Sequence, residues 1–233
     1  MGIMGISERE RLIAIHEDFL GELGAQNISF YSNKLSANLN DEAQFDDLLC
    51  EGYSAMMYLS NGFQVTLQDS PDLFIKLDDQ KFYCEVKHFR KKLQDYGNEE
   101  SMHGAIKKGI LAKYGRTEIS INEIVEIIRD KINQLMDSHP NILLIVNSSS
   151  QCIETDNVSG AVKKIEDIIT KKEYLGFQKL NGIFFIGDEI GYFENNNAGI
   201  SLSESVRNSL VRMNNWRVIK YKCQQRFNDK QLP

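Results

Sequence analysis

The sequence predicts an α/β fold in which helices flank a mixed central sheet. An amphipathic helix precedes three short strand-like runs, turn residues separate these runs, and further helices and strands alternate after them. The 233 residues can bury a full hydrophobic core, so we expect one domain over residues 1–233. We expect a helical extension at 1–40, a core at 41–150 with an insertion at 90–120, and a C-terminal completion of the sheet and helices at 151–233.

Apolar periodicity gives the predicted elements in chain order. Helical spacing of apolar residues predicts helices at Glu8–Leu23, Phe45–Leu59, Ile121–Met136, Val158–Thr170 and Ser203–Arg212. Short β-prone runs predict strands at Phe63–Leu67, Leu73–Leu77, Lys81–Lys87, Ile142–Val146, Gly182–Ile186 and Arg217–Tyr221. Gly24–Asn40 is rich in Ser, Asn and Gly and is expected to be mostly irregular. The polar, basic insertion is expected to be partly helical around Gly104–Leu111.

Composition indicates an ordinary water-soluble protein. Hydrophobic residues make up 42% and charged residues 26% of the chain, and no run of about 18 apolar residues predicts a membrane span. The four cysteines form no C-x-x-C pair and no metal-ligand spacing with histidine. They are Cys50, Cys84, Cys152 and Cys223. We therefore expect free thiols in a reducing, cytoplasmic compartment.

The net charge of −6 counts mildly against a protein that lives on nucleic acid, because phosphate binding requires positive charge. The charge is uneven, however, and basic residues cluster in three stretches. These are Lys87, Arg90, Lys91 and Lys92; Lys107, Lys108, Lys113 and Arg116; and Arg212, Arg217, Lys220, Lys222 and Arg226. An acidic metal centre with basic flanks gives this pattern, and so does a solvated surface.

Two carboxylates are expected to meet across a predicted hairpin. If the hairpin turns at Asp78-Asp79, the numbers of facing residues sum to 157, and Asp72 faces Glu85. Facing residues of antiparallel strands have Cβ atoms about 4.5–5.5 Å apart. Like charges so close are destabilising unless a cation neutralises them, and hard oxygen ligands suit Mg²⁺. One extra residue in the turn would remove Asp72 from this register.

Two further side chains are expected beside this pair. Lys87 lies two residues beyond Glu85 and therefore shares its strand face, whereas Val86 between them points into the core. In the helix Phe45–Leu59, Glu51 lies just outside an apolar arc of about 120°. A carboxylate at that margin is a candidate third metal ligand.

These residues together resemble the PD-(D/E)XK nuclease superfamily. The match consists of Glu51 on the first core helix, Gly62-Phe63 opening the first strand, Ser70-Pro71-Asp72, and Glu85-Val86-Lys87. Twelve residues separate Asp72 from Glu85, in keeping with the family, and the resemblance covers roughly residues 45–146. It implies a restriction-endonuclease-like core: a helix, a three-stranded antiparallel meander, a second helix and further strands.

The resemblance also implies a chemistry. Asp72, Glu85 and Glu51, with the Val86 carbonyl, would bind Mg²⁺ or Mn²⁺, and Lys87 would orient the attacking water and stabilise the oxyanions. The substrate would be nucleic acid, with DNA preferred to RNA by analogy alone, and a homodimer or a partner chain could supply specificity. The alternative is a catalytically silent nuclease fold that binds nucleic acid or protein. A surface strand pair of Glu85 and Lys87, with Asp72 as a turn residue, is the non-functional interpretation.

Basic residues near the predicted site are weaker candidates for substrate binding. Arg90 and Lys91 follow the E-x-K segment, and Lys131 lies at the edge of the apolar arc of the helix Ile121–Met136. Lys131 could contact a phosphate, or its stem could cover apolar surface while its amine stays in water. His88 should point to the opposite strand face from Lys87 and is expected to be a packing or surface residue.

Overall fold

A computed structural model describes residues 5–89, 120–148 and 153–229, which form seven α-helices around one six-stranded sheet. The helices are α1 (Ile6–Glu22), α2 (Ile28–Ala37), α3 (Glu42–Leu59), α4 (Ile121–Lys131), α5 (Thr155–Thr170), α6 (Glu204–Arg212) and α7 (Trp216–Asp229). The strands are β1 (Gln64–Leu67), β2 (Leu73–Leu77), β3 (Gln80–Phe89), β4 (Asn141–Asn147), β5 (Leu180–Ile186) and β6 (Ile190–Glu194). Short 3₁₀ turns occur at Ile132–Gln134 and Leu175–Lys179.

The six strands lie in the sheet in the same order as in the chain. Strands β1, β2 and β3 form an antiparallel meander, β3, β4 and β5 are parallel, and β6 returns antiparallel to β5. The predicted α/β class with a mixed sheet, and the order of helix, meander, helix and strand, are confirmed.

The sheet separates two hydrophobic cores. One contains residues of α1, α2, α3, α6 and α7, and the other contains residues of α4 and α5. Strand β4 contributes to both, since Ile142 and Leu144 face the first core while Leu143 and Ile145 face the second. Side chains alternate across a strand, so a central parallel strand covered on both faces must be apolar throughout.

Two sequence predictions of secondary structure are wrong. Gly24–Asn40 contains the helix α2, in which Tyr31 and Leu35 are buried one helical turn apart. Arg217–Tyr221 is not a strand but part of α7, whose buried residues recur at helical spacing. Those residues are Trp216, Ile219, Cys223 and Phe227. In both segments a few buried anchors determine the helix, although the local composition is polar or β-branched.

Other boundaries shift by a few residues or were not foreseen. The helix predicted at Ile121–Met136 is α-helical only as far as Lys131. A 3₁₀ turn at Ile132–Gln134 follows, and Leu135 is extended. The edge strand β6 was not predicted from the sequence, and its residues are all only half-buried. The predicted insertion helix at Gly104–Leu111 lies outside the described residues.

Three of the four cysteines fall within the described residues. Cys50, Cys84 and Cys223 are buried free thiols, as the sequence predicts, whereas Cys152 lies outside the described ranges. Among the described helices, none is both long and apolar enough to cross a membrane.

Candidate active site

The hairpin of β2 and β3 has the predicted register. Leu73 pairs with Cys84 and Leu77 with Gln80, so the numbers of facing residues sum to 157. The same register places Asp72, the residue directly before β2, opposite Glu85. A two-residue turn at Asp78-Asp79 fixes this alignment, because any insertion would shift every pair.

Asp72 joins the two strands through its side chain. Its Oδ2 accepts a hydrogen bond from the Val86 backbone N–H at 2.7 Å, and only 7% of the residue is exposed. Burial raises the pKa of Asp72 well above its ordinary value, and the negative charges of Glu51 and Glu85 raise it further. The Val86 hydrogen bond opposes this shift. The carboxylate is thus held beside β3 against electrostatic repulsion.

Glu51 reaches the same region from α3. It is 9% exposed, and its Oε2 lies 3.3 Å from the Lys34 ammonium nitrogen. Burial raises the pKa of Glu51 to about 7, an effect that Lys34 opposes and the charge of Glu85 reinforces. The sequence prediction placed Glu51 at the margin of the apolar arc, and the structure buries it within electrostatic range of Asp72 and Glu85.

Glu85 is the most deeply buried of the three acids, with 3% of the residue exposed. Its Oε1 accepts a hydrogen bond from Lys131 Nζ at 2.6 Å, so the lysine at the end of α4 does enter the cluster. Its Oε2 is buried and has no hydrogen-bond partner among the described residues. A buried carboxylate oxygen without a donor costs free energy, and it marks a position that a cation would satisfy.

The three carboxylates lie within electrostatic range of one another, but each has a different hydrogen-bond or ion-pair partner. Lys34 pairs with Glu51, the Val86 N–H with Asp72, and Lys131 with Glu85. Within the described ranges, no three His, Cys, Asp or Glu side chains are already drawn together as a ready-made metal site. The chemistry of the donors nevertheless fits a hard divalent cation, because three buried carboxylates lie within electrostatic range of one another and one oxygen, on Glu85, lacks a partner.

Lys87 follows on the same strand face as Glu85, two residues on. It is half-buried, and its ammonium nitrogen lies 5.9 Å from the centre of the Phe89 ring. Val86 between Glu85 and Lys87 is buried in the first core, as predicted. Arg90 and Lys91 lie outside the described residues.

Lys34 is the residue of this cluster that the sequence analysis missed. Besides Glu51, its ammonium nitrogen contacts Asp69 Oδ1 at 3.8 Å. Burial lowers the pKa of Lys34, but the charges of Glu51 and Asp72 outweigh this effect, and the net shift is upward. No local signal links Lys34 to Glu51, since the contact exists only because α2 forms and packs on α3.

His88 connects three elements beside the cluster. Its Nδ1 lies 3.1 Å from Asp47 Oδ1 on α3, and its Nε2 lies 2.6 Å from Ser148 Oγ, just after β4. The side chain is largely buried, which agrees with the predicted packing role. This bridge fixes the first half of α3 against the ends of β3 and β4, and Glu51 lies one helical turn after Asp47.

The close approach of α2 to α3 depends on Gly52. A Cβ at this position would lie 2.1 Å from the Tyr31 hydroxyl oxygen and 2.6 Å from His16 Nδ1. Tyr31 in turn donates a hydrogen bond to the Leu48 carbonyl at 3.1 Å. The residue next to Glu51 must therefore be small for α2 to present Lys34 at the site.

Comparison with known proteins provides no identification. No protein-family model, curated protein or solved structure matches this chain.

Proposed function

We propose that this chain is a metal-dependent nuclease of the PD-(D/E)XK type that hydrolyses phosphodiester bonds. The observation that carries the proposal is the buried Glu85 Oε2 without a partner, beside Asp72 and Glu51. Carboxylates that repel one another in a buried cluster are characteristic of sites built to receive a cation. Mg²⁺ or Mn²⁺ is the cofactor that suits oxygen ligands.

We assign each residue the role that its counterpart in the superfamily would have. Asp72, Glu85 and Glu51, with the Val86 carbonyl, would hold the ion, which when bound would acidify a water and neutralise phosphate charge. Lys87 would donate to that water or to a non-bridging phosphate oxygen, and so stabilise the charge of the transition state. Lys131, released from Glu85, would be within reach of the same phosphate. DNA is the proposed substrate, and restriction, defence or repair is the process that such an activity would serve.

The second candidate is a binding module that keeps the nuclease fold without the chemistry. The lysine partners of Glu51 and Glu85 favour it, because ion pairs can stabilise a cluster with no metal. The unsatisfied Glu85 oxygen and the raised pKa values of Glu51 and Asp72 count against it, since a purely structural cluster gains nothing from them.

The test compares Lys87→Ala with wild type in Mn²⁺ titrations and in cleavage of single- and double-stranded DNA. We expect the variant to bind Mn²⁺ with unchanged affinity and to lose about 10²–10³ in rate, the usual cost of removing one transition-state donor. Asp72→Ala should lose Mn²⁺ binding as well.

Lys81→Ala is the matched control, because Lys81 lies on the same strand and face but is exposed and six residues away from Lys87. It should cleave like wild type. Equal cleavage by wild type and Lys87→Ala would exclude this site. A wild type that binds Mn²⁺ and DNA but cuts no substrate would support the binding module.

A further inference from the structure

Lys34 lies beside the acids of the candidate site and contacts two carboxylates. Its side chain is 22% exposed, and its ammonium nitrogen lies between Glu51 Oε2 at 3.3 Å and Asp69 Oδ1 at 3.8 Å. The helix that carries it is anchored at its start, where Asn27 Nδ2 donates to the Leu67 carbonyl at 2.9 Å. A charged side chain on an anchored helix is a better-positioned ligand than one on a loop.

The charge balance of the cluster suggests a second task for this lysine. Three buried carboxylates and three lysines make up the cluster: Glu51, Asp72 and Glu85 with Lys34, Lys87 and Lys131. Asp69, which also contacts Lys34, is 83% exposed, so water largely screens its charge. Adding a divalent cation would leave two positive charges. A phosphodiester carries one negative charge, and the pentacoordinate species carries two when the attacking water has lost its proton and adds to phosphorus as hydroxide. Loss of Lys34 would remove one of these positive charges, so the metal-loaded cluster would offset less of the transition-state charge.

Lys34 and a bound metal ion would compete for the same atom, Glu51 Oε2. Lys34 donates to this oxygen, and a metal held by Glu51 would compete for it. With that oxygen given to a metal, Lys34 would be left half-buried beside an electropositive centre and short of one acceptor. A non-bridging phosphate oxygen is an acceptor of the right charge, and charge-assisted hydrogen bonds of this kind are strong.

We propose that Lys34 is a phosphate-binding residue of this site, which passes from Glu51 to a non-bridging oxygen of the substrate when Glu51 serves the metal. The inference rests on the proposed nuclease function. It assigns substrate contact to α2, a helix outside the part of the chain that resembles the nuclease superfamily.

The experiment replaces Lys34 with Met, which keeps the apolar stem, and with Gln, which keeps a hydrogen-bond donor for Glu51. We expect both variants to bind Mn²⁺ at least as tightly as wild type, because a competing cation is gone. The kcat/KM for DNA cleavage should fall about tenfold to a hundredfold, the cost of one charged hydrogen bond. Melting curves identify any variant that does not fold.

A binding measurement separates phosphate contact from a structural role. In the Lys87→Ala background with Mn²⁺, the slope of log affinity for duplex DNA against log salt concentration should shrink by about 0.9 when Lys34 is replaced, as for one lost phosphate contact. Lys171→Met is the control, since Lys171 forms an exposed ion pair with Asp167 at 2.6 Å on α5. It should change neither the slope nor kcat/KM.

The results separate a purely structural role of Lys34 from a failure of the nuclease proposal itself. If wild type cleaves DNA while both Lys34 variants keep its kcat/KM and salt slope, the ion pair with Glu51 is structural and this inference is wrong. If wild type neither binds Mn²⁺ nor cleaves DNA, the nuclease proposal fails and takes this inference with it.

Discussion

Glu51 is a buried acid, and its ionised form lowers the stability of the folded state because burial disfavours the charge. Burial raises its pKa from 4.5 to about 7. A group whose pKa is raised in the folded state contributes stability below its unfolded pKa and loses that contribution as pH rises through the folded pKa. The wild-type protein should therefore lose stability between about pH 4.5 and pH 7 through this residue.

Replacing Glu51 with Gln should remove that loss. Gln cannot ionise but can still accept the Lys34 hydrogen bond, so we expect the free energy of unfolding near pH 8 to rise by about 1–3 kcal/mol. The gain should vanish near pH 4, where Glu51 is protonated in both states. Urea unfolding at both pH values measures it. Mn²⁺ affinity should fall in the same variant, and an unchanged affinity would remove Glu51 from the ligand set.

His16 makes the stability of the protein depend on pH in the opposite direction from Glu51. It is fully buried beside Tyr31, and burial lowers its pKa from 6.5 to about 3. A lowered pKa means stability that is present above the unfolded pKa and lost as pH falls. Between about pH 6 and pH 4 we expect the wild type to lose roughly 1.4 kcal/mol per pH unit through this residue.

The measurement is the pH slope of stability in His16→Gln against wild type. The variant should be less stable overall, but its slope in this range should be smaller by about one proton. Equal slopes in the two proteins would mean that His16 is protonated within the fold.

At the scale of elements, the packing of α2 on α3 positions Lys34 beside Glu51. Gly52→Ala would place a Cβ 2.1 Å from the Tyr31 hydroxyl oxygen, so we expect a loss of about 1–3 kcal/mol. Gly21→Ala is the matched helical control, because its Cβ would meet nothing closer than 3.9 Å and should gain about 0.5–1 kcal/mol. Thermal unfolding of both variants checks the contrast. If Gly52→Ala were as stable as wild type, α2 would not depend on this close approach.

The sequence could predict some of the elements that build the site, and others it could not. The register that brings Asp72 opposite Glu85 was predictable, because a two-residue turn and a two-residue side-chain period determine it locally. The helix α2 and the lysine it presents were not, since their formation depends on contacts with α1 and α3. Lys131 lay between these cases: helical spacing placed it at a margin, but only the fold reveals its contact with Glu85.

At the scale of the whole molecule, the acids and their lysines come from both sides of the sheet. Helix α3 packs in the first core and supplies Glu51, whereas α4 packs in the second core and supplies Lys131. Asp72 and Glu85 come from the end of the β2–β3 hairpin that lies away from its turn, within the sheet that separates the two cores. A cation bound there would link both cores, so its binding energy should appear as global stability and not as local ordering.

This linkage predicts a metal-dependent melting temperature that varies with pH. Protons and metal compete for Glu51 and Asp72, whose pKa values burial raises, so Mn²⁺ should bind more tightly near pH 8 than near pH 5.5. At a concentration of about a hundred times Kd, binding adds about 2.7 kcal/mol, which for a chain of this size corresponds to roughly 5–10 °C. Differential scanning calorimetry with and without Mn²⁺ at both pH values measures the shift. Asp72→Asn should abolish it while keeping the Val86 hydrogen bond. An equal shift at both pH values, or one that survives in Asp72→Asn, would place the bound ion elsewhere on the molecule.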